Sequence, residues 1–201
     1  MAARPRTGPA RPRLPDARQT MIAGAIDSLR VHGVSGTSVD RVLAATGAPR
    51  GSVYHHFPGG RTQLLGDAVS AAGGVMSELI EQLTRDNDPA QALEQFAALW
   101  RRTLRESDYR AGCPVFAIAV ETTEDTPELA DAATEIFARW HRALAGLLVR
   151  HDFPADRAAR LATLTVAAVE GAIALSRVQR STAPLDDAVE ELRGFYATAT
   201  R

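Results

Sequence analysis

The stretch from Thr37 to Phe57, TSVDRVLAATGAPRGSVYHHF, contains two short helical patterns separated by a sharp turn. Thr37, Ser38 and Asp40 match the Ser/Thr-x-x-acid pattern that satisfies free amides at a helix N-terminus, so a helix should begin at Ser38. Gly47 is the residue type that ends such a helix with a positive φ. A second helix should follow at once, which predicts a helix-turn-helix.

Apolar spacing gives both helices an inner face. In the first helix, Val39, Val42 and Leu43 recur at i, i+3 and i+4 and form one stripe. The second helix should run from about Pro49 to His56, with the proline at its first position, where a missing N–H costs nothing. Its inward residues are Val53 and Phe57. Its outer face carries small, polar and aromatic residues: Arg50, Gly51, Ser52, Tyr54 and His55.

The outer face of the second helix suits DNA. Arg50 can fork onto a guanine edge or pair with phosphate, and Gly51 lets the backbone come close. Ser52, Tyr54 and His55 can hydrogen-bond phosphate or base edges. The alternative is an ordinary solvated face with an aromatic cap over a packed core.

These residues resemble the DNA-binding domain of the tetracycline-repressor-like (TetR/AcrR) family of transcriptional regulators. The residues in register with the family pattern are Gly33, Thr37, Ser38, Val39, Val42, Leu43, Thr46, Gly47, Ala48, Pro49, Arg50, Gly51, Ser52, Val53, Tyr54, His56 and Phe57. The helix before them fits as well, through Ile22, Ala25, Ile26 and Leu29. The resemblance implies an all-α fold: a helix-turn-helix domain at 16–60 and a helical ligand-binding and dimerisation domain at 61–201.

The resemblance also implies partners and sites. The partners are double-stranded operator DNA, a second copy of the chain and a small hydrophobic effector. The residues expected at the DNA are Thr37, Ser38, Arg50, Gly51, Ser52, Tyr54, His55 and Arg61. Where many members have Pro-Ser-Lys after the phenylalanine, this chain has Pro58-Gly59-Gly60-Arg61. That form, with Gly112-Cys113-Pro114 and the Ala/Leu-rich C-terminal helices, resembles the LmrA/YxaF-type branch.

Charge is distributed unevenly along the 201 residues. The net charge is −1, yet residues 1–65 carry +6 and residues 66–201 carry −7. A basic footprint at one end is what phosphate contact requires, although a solvated basic end is also common. Residues 1–15 contain four arginines and four prolines and are expected to form a disordered arm. Such an arm either contacts phosphate or the minor groove, or only adds solubility.

Several other classes of protein are disfavoured. No apolar segment follows the N-terminal arginines, and the apolar stretch from Leu161 to Ser176 is shorter than a membrane span, which predicts a cytoplasmic protein without a membrane partner. The single cysteine, Cys113, excludes an internal disulfide and a cysteine-based zinc site. The five histidines lack metal-ligand spacing, and no catalytic motif is present. We expect no metal, no cofactor and no enzyme.

Downstream, prolines and caps divide the sequence into further helices, with no internal repeat. Their expected ranges are Arg61 to Thr84, Pro89 to Glu106, Pro114 to Thr122, Pro127 to Arg150, Ala155 to Arg180 and Leu185 to Thr198. The first of these is long enough to connect the DNA-binding end with the rest of the chain.

Aromatic and aliphatic residues on the central helices could line a cavity for a small hydrophobic effector, or could be plain core. The candidate ligand-binding residues are Phe96, Trp100, Phe116, Val120, Glu121, Phe137, Trp140, His141 and Glu170. A buried Glu170 needs a partner, and pairing with Arg177 or with an arginine across a dimer is the favoured interpretation. His141 is expected to be a hydrogen-bonded helix residue.

The segment from Leu161 to Leu175 is apolar nearly all round, so one face needs a cover outside its own fold. A second copy is the economical cover, and the resemblance implies a four-helix dimer interface built from the last two helices. The alternative is a central helix buried in a monomer. The expected interface residues are Leu161, Ala168, Ala172, Leu175, Leu185, Leu192 and Tyr196.

The combined interpretation is a homodimeric, ligand-responsive transcriptional repressor. Effector binding would shift the helix from Arg61 to Thr84 and change the spacing of the two recognition helices. Two alternatives stay open: a regulator without a physiological ligand, acting as an activator or constitutively, and a helical enzyme or scaffold that kept the fold.

Overall fold

Residues 16–121 and 126–197 are described by a computed structural model, and over these ranges the chain is helical without strands. The helices are α1 (Ala17–His32), α2 (Val39–Thr46), α3 (Arg50–His56), α4 (Gly60–Asp86), α5 (Pro89–Glu106), α6 (Pro114–Glu121), α7 (Pro127–Arg150), α8 (Ala155–Gln179) and α9 (Ala183–Ala197). The predicted all-α class is confirmed, and the predicted helix ranges agree to within two or three residues. The arm at 1–15 and the predicted helix ends at Thr122 and Thr198 lie outside the described residues.

The start of α2 differs in detail from the predicted cap. Ser38 is the capping residue, and its Oγ accepts a hydrogen bond from Arg41 N at 3.1 Å. Thr37 does not cap the helix, because its hydroxyl donates instead to Gly33 O at 2.7 Å. Gly47 ends α2 in the left-handed region, at φ 69° and ψ 11°, as predicted. Pro49 occupies the N-cap of α3 rather than its first helical position.

The first three helices and the start of α4 enclose a common core. Its fully buried side chains come from each of these elements: Met21, Leu29, Val42, Val53, Phe57, Leu64 and Leu65. Arg18 Nη2 donates to Asp67 Oδ2 at 2.7 Å, which ties α1 to α4 across the edge of this core. Because Val53 and Phe57 anchor α3 from below, the opposite side of α3 faces outward.

Helix α4 packs on α7 at close range and joins the N-terminal helices to the rest of the chain. Gly73 makes the approach possible, since a Cβ at this position would collide with the Ile136 side chain. Two polar contacts hold the pair: Trp140 Nε1 donates to Ser77 Oγ at 2.9 Å, and Arg139 Nη2 donates to Glu81 Oε2 at 2.8 Å. Movement of α7 would therefore be transmitted to α4.

Helix α8 lies against α5, α7 and α9. The Thr165 hydroxyl and the Tyr196 hydroxyl lie 2.6 Å apart and are both buried, which fixes α8 on α9. By length and composition, the 25-residue helix α8 is long and apolar enough to cross a membrane, whereas the sequence predicted an apolar stretch shorter than a membrane span. This apolar character has another explanation here, because α8 is packed on three neighbouring helices and carries a buried glutamate, Glu170.

One face of α8 remains exposed, and it differs from the predicted dimer set. Five of the predicted residues are buried within a single chain and are unavailable to a partner: Leu161, Ala172, Leu185, Leu192 and Tyr196. Ala168 is half-buried and Leu175 is 54% exposed, so these two stay at the surface. Leu164 and Val178, which the sequence did not single out, are 42% and 84% exposed.

We call the following residues the exposed apolar stripe of α8: Leu164, Ala168, Gly171, Leu175 and Val178. Its steps of four and three residues place all five on one side of the helix. A helix that is apolar nearly all round has several apolar stripes, and only the packing of α8 on α7 and α9 determines which stripe stays exposed.

Candidate nucleic-acid interface

The outward side of α3 presents the residues that the sequence predicted for it. The side chain of Arg50 is 81% exposed and Tyr54 is 78% exposed. Gly51 and His55 are exposed and Ser52 is half-buried. The short helix thus offers a guanidinium, a phenol and an imidazole on one surface, above an apolar anchor.

An ion pair that the sequence did not indicate links this surface to α2. Arg50 Nη2 lies 2.9 Å from Asp40 Oδ1, and both side chains are largely exposed. Exposed pairs of this kind contribute about 0–1 kcal/mol. Because the ion pair is weak, exchange of the carboxylate for a phosphate or a guanine edge would cost the Arg50 guanidinium little free energy.

Gly51 has space around it. A Cβ built at this position meets no atom of the chain within 4 Å. Its φ is not in the left-handed region, so the backbone conformation does not require glycine either. The intramolecular structure gives no reason for a glycine in this first turn of α3.

Two residues predicted at the DNA are turned inward. Thr37 is 1% exposed, and its hydroxyl contacts both Gly33 O and Ser28 Oγ, the latter at 2.9 Å. Arg61 Nε donates to Thr37 O at 2.8 Å, and its Nη2 donates to Val34 O. Thr37 and Arg61 hold the turn between α1 and α2 against α4. The assignment of the buried Thr37 is corrected, whereas a DNA contact of the half-buried Arg61 stays a prediction. Ser38 remains exposed beside its capping hydrogen bond.

The α1–α2 turn is also held by Glu121, at the end of α6. Its Oε1 accepts from Val34 N at 3.0 Å, and its Oε2 accepts from Ser35 N at 2.8 Å. Burial opposes ionisation, but hydrogen bonds from Ser35 and Val34 and the charge of Arg61 hold the pKa of the Glu121 carboxyl below its ordinary value. Each of its oxygens thus accepts one hydrogen bond from this turn, and the ligand contact of Glu121 stays a prediction.

The backbone of Gly33 and its contact with Glu121 both require a glycine at this position. Its backbone adopts φ 69° and ψ −171°, a region open essentially to glycine alone. A Cβ at this position would also collide with Glu121 Oε1. The glycine therefore permits both the turn and the approach of the α6 carboxylate to it.

The other candidate ligand residues are distributed over three cavities. An outer cavity of about 390 Å³ between α6, α7 and α8 is lined by Phe116, Ala119, Phe137, Ala138, His141, Thr163, Val166, Ala167 and Glu170. An inner cavity of about 50 Å³ includes Phe96, Trp140 and Glu170 in its wall. A junction cavity of about 300 Å³ between α1, α6 and α8 includes Phe116, Val120, Glu121 and Glu170.

Trp100 lines none of these three cavities. It is 3% exposed and belongs to the core, so its assignment as a ligand residue is corrected. His141 Nε2 lies 3.0 Å from Ala159 O, in agreement with the expected hydrogen-bonded helix residue. The same side chain also lines the outer cavity.

Glu170 does not pair with Arg177, the first of the two partners that the sequence favoured, and pairing with an arginine across a dimer stays a prediction. It is 5% exposed, and its Oε2 has no hydrogen-bond partner among the described residues. Arg177 contacts Val31 O at 3.4 Å instead. Burial raises the pKa of the Glu170 carboxyl to about 7, partly offset by a hydrogen bond from Cys113. Burial and the neighbouring carboxylate likewise raise the pKa of the Cys113 thiol well above its ordinary value, as expected for an unreactive buried cysteine.

Comparison with known proteins agrees with this arrangement. Residues 21–68 match the model of the bacterial regulatory proteins of the tetR family, and residues 89–191 match that of the LmrA/YxaF-like transcriptional regulator C-terminal domain. An HTH-type transcriptional regulator of Mycobacterium tuberculosis (strain H37Rv) is 40% identical over 187 residues, which cover 89% of this chain and 93% of that protein. The HTH-type transcriptional regulator LmrA of Bacillus subtilis is 30% identical, over 85% of this chain and 91% of its own.

A solved structure shows the same fold at lower identity. The regulatory protein TetR from Rhodobacter sphaeroides superposes with a TM-score of 0.78 at 23% identity, over 88% of this chain and 96% of that one. The ranges matched by the two family models include the α2–α3 surface and the residues that line the outer and junction cavities. The chain belongs to the TetR family of bacterial transcriptional regulators, with a C-terminal domain of the LmrA/YxaF-like type.

Proposed function

We propose that the protein is a cytoplasmic repressor that binds a palindromic operator as a homodimer and is released by a small hydrophobic effector. The observation that carries this proposal is the outward face of α3, where Arg50, Gly51, Tyr54 and His55 are exposed above the buried anchor of Val53 and Phe57. A rigid short helix with exposed hydrogen-bonding side chains is suited to a major groove. We assign the DNA contacts to these residues and to Ser38 and Ser52.

A second copy would complete the binding unit. The exposed apolar stripe of α8 ends in Leu175 and Val178, which are 54% and 84% exposed. Two such stripes can cover each other about a twofold axis, because a C2 interface uses the same patch on both subunits. A twofold pair of α3 helices would contact half-sites about one helical turn of DNA apart, or a multiple of it.

Two routes would couple an effector to the DNA. Helix α4 packs on α7 beside the cavities and begins directly after α3. Helix α6 lines the outer and junction cavities and ends in Glu121, which holds Val34 and Ser35. A ligand that displaces α6 or α7 would therefore shift the DNA-binding helices relative to the body. A coupling free energy of about 1–3 kcal/mol would be enough for regulation.

Selection of bound duplexes from a random pool tests the DNA-binding part of the proposal. We expect an enriched inverted repeat that the protein binds as a dimer, with affinity that falls steeply as salt rises. A shuffled duplex of the same composition is the control. Equal affinity for the enriched and the shuffled duplex would contradict a sequence-specific regulator.

A further inference from the structure

Glu170 lines all three cavities, and within the part that the structure describes a hydrogen bond from Cys113 is its one partner. It is 5% exposed, and its Oε2 accepts no hydrogen bond there. A buried carboxylate without a partner is costly, and replacement by an apolar residue would remove that cost. The chain retains the acid in a helix that is otherwise almost wholly apolar between Leu161 and Leu175. A partner supplied from outside the chain would explain it.

The outer cavity offers room for such a partner. Its volume of about 390 Å³ lies in the range of sites that hold small organic molecules. Phe116 and Phe137 contribute two aromatic rings to the wall, and the other lining residues are mostly alanine and valine. The bulk of a ligand here would therefore be apolar.

The two other polar side chains of this cavity each have a hydrogen-bond partner. Thr163 Oγ1 donates to Ala159 O at 3.2 Å, and His141 Nε2 lies 3.0 Å from the same oxygen. The Cys113 thiol hydrogen-bonds to the Glu170 carboxyl, but Oε2 has no partner among the described residues. Oε2 has almost no accessible surface in this conformation, so a ligand with a donor would find its acceptor at Glu170 once the carboxylate turns towards the cavity.

The charge of this acceptor selects the ligand class. An anion would be repelled by the carboxylate, and a purely apolar molecule would leave Oε2 unsatisfied. A protonated amine supplies both the opposite charge and N–H donors, and charge-assisted hydrogen bonds are about twice as strong as neutral ones. The rings of Phe116 and Phe137 add a favourable environment for a cation.

We propose that the effector is an apolar molecule with one protonated amine, whose nitrogen pairs with Glu170 while its apolar part fills the outer cavity. Only the role of this ligand as an effector rests on the proposed function. The binding site itself follows from the cavity and from the Glu170 carboxyl in its wall.

Calorimetric titration with three matched probes tests the site: 1-naphthylmethylamine, 1-naphthalenemethanol and 1-naphthoic acid. They share one ring system and differ in being cationic, neutral and anionic. At about pH 8, where the acid is ionised, we expect the amine to bind roughly tenfold or more tightly than the alcohol, and the naphthoate to bind most weakly. Failure of the amine to bind, or equal binding of amine and alcohol, would overturn the proposal.

Variants identify the carboxyl as the cause. Glu170→Gln should lower the affinity for the amine roughly tenfold, to the level of the alcohol, and leave the affinity for the alcohol unchanged. Retained alcohol binding also shows that the variant is folded. Glu135→Gln, at an exposed glutamate on α7, is the matched control and should change neither affinity. A Glu170→Gln protein that keeps full amine affinity would contradict the assignment.

DNA release distinguishes the inference from the proposed function. If the amine binds through Glu170 and leaves operator affinity unaltered, the site stands and the effector role fails. If neutral apolar compounds release the operator equally from the wild type and from Glu170→Gln, effector control stands and the amine class is wrong.

Discussion

The carboxylate of Glu121, at the end of α6, accepts a hydrogen bond from the backbone N–H of Ser35 at 2.8 Å. The two residues are 86 positions apart in the chain, so this contact joins the cavity-lining part of the molecule to its DNA-binding end. The neighbouring N–H of Val34 donates to the same side chain. One side chain thus connects the α6 wall of the cavities to the turn that precedes α2.

Removal of this connection should loosen the α1–α2 turn. We expect Glu121→Ala to lower the free energy of unfolding by about 1–3 kcal/mol, because two backbone N–H groups lose a charged acceptor. Amide hydrogen exchange at Val34 and Ser35 should accelerate, as read by NMR. Glu135→Ala, at an exposed site on α7, is the control. Unchanged protection of both amides would show that the carboxylate does not hold the turn.

Arg50 should affect DNA binding without affecting stability. Its only ion pair in the described structure is the exposed contact with Asp40, so Arg50→Ala should change the free energy of unfolding by less than about 1 kcal/mol. Operator binding, measured by fluorescence anisotropy, should weaken by about 1–3 kcal/mol. Arg180→Ala removes a similarly exposed pair with Asp108 far along the chain, and should leave operator affinity intact. Equal effects of the two variants would refute a specific role for Arg50.

Substitution of Gly51 by alanine should raise stability and lower operator affinity. Alanine fits at this position without a clash in the chain and favours helix, so Gly51→Ala should raise the free energy of unfolding by about 0.5–1 kcal/mol. Operator affinity should fall, because the added methyl group lies where the DNA backbone would approach. Urea unfolding and anisotropy measure the two quantities on one sample. A variant that is more stable and binds the operator as well as the wild type would argue against close approach at Gly51.

The exposed apolar stripe of α8 predicts the oligomeric state. Val178 is 84% exposed, and Val178→Glu would place a charge within the apolar surface that the second copy is proposed to cover. We expect sedimentation velocity to show a dimer for the wild type and a monomer for the variant at micromolar concentration. Val75→Glu introduces the same charge at a 71% exposed valine on α4 and should remain dimeric. Dimers of both variants would place the interface elsewhere.

Glu170 should make stability depend on pH. Burial raises the pKa of its carboxyl from 4.5 to about 7, so the folded chain retains a proton that the unfolded chain has already lost. The resulting stability is present below about pH 4.5 and is lost as pH rises through about 7, an effect on the order of 3 kcal/mol.

Urea unfolding of wild type and Glu170→Gln between about pH 4.5 and 8 measures this contribution. The difference in unfolding free energy between the two proteins should shift in favour of the glutamine variant as pH rises, because glutamine does not titrate. A constant difference across that interval would mean that Glu170 has an ordinary pKa in the folded chain.

Local spacing was sufficient to predict the helices and the outward face of α3. Ser38, Gly47 and Pro49 mark helix ends through their own backbone and side-chain chemistry, and Val53 with Phe57 determines which side of α3 is buried. These features depend on residues within four positions of one another, so they can be derived before the chain is folded in space.

The partners of polar side chains could not be derived in this way. Thr37 and Arg61 were predicted to contact DNA, yet both hydrogen-bond to the α1–α2 turn, and Glu121 joins them from the far end of α6. Glu170 was expected to pair with Arg177 or with an arginine across a dimer, and within the chain it does not pair with Arg177. Hydrogen-bond partners far apart in the chain are chosen by helix packing, which spacing does not encode.

The amino-acid sequence by itself determined the order of the helices and the outward side of α3, because both follow from periodicity and capping, and the motif from Thr37 to Phe57 indicated the family by resemblance. Tertiary structure decided which stripe of α8 is left uncovered, how α6 connects to the α1–α2 turn and that Glu170 Oε2 lies in a cavity wall without a partner among the described residues. An apolar helix has several possible inner faces and a charged residue several possible partners. Only the close packing of neighbouring helices selects among them.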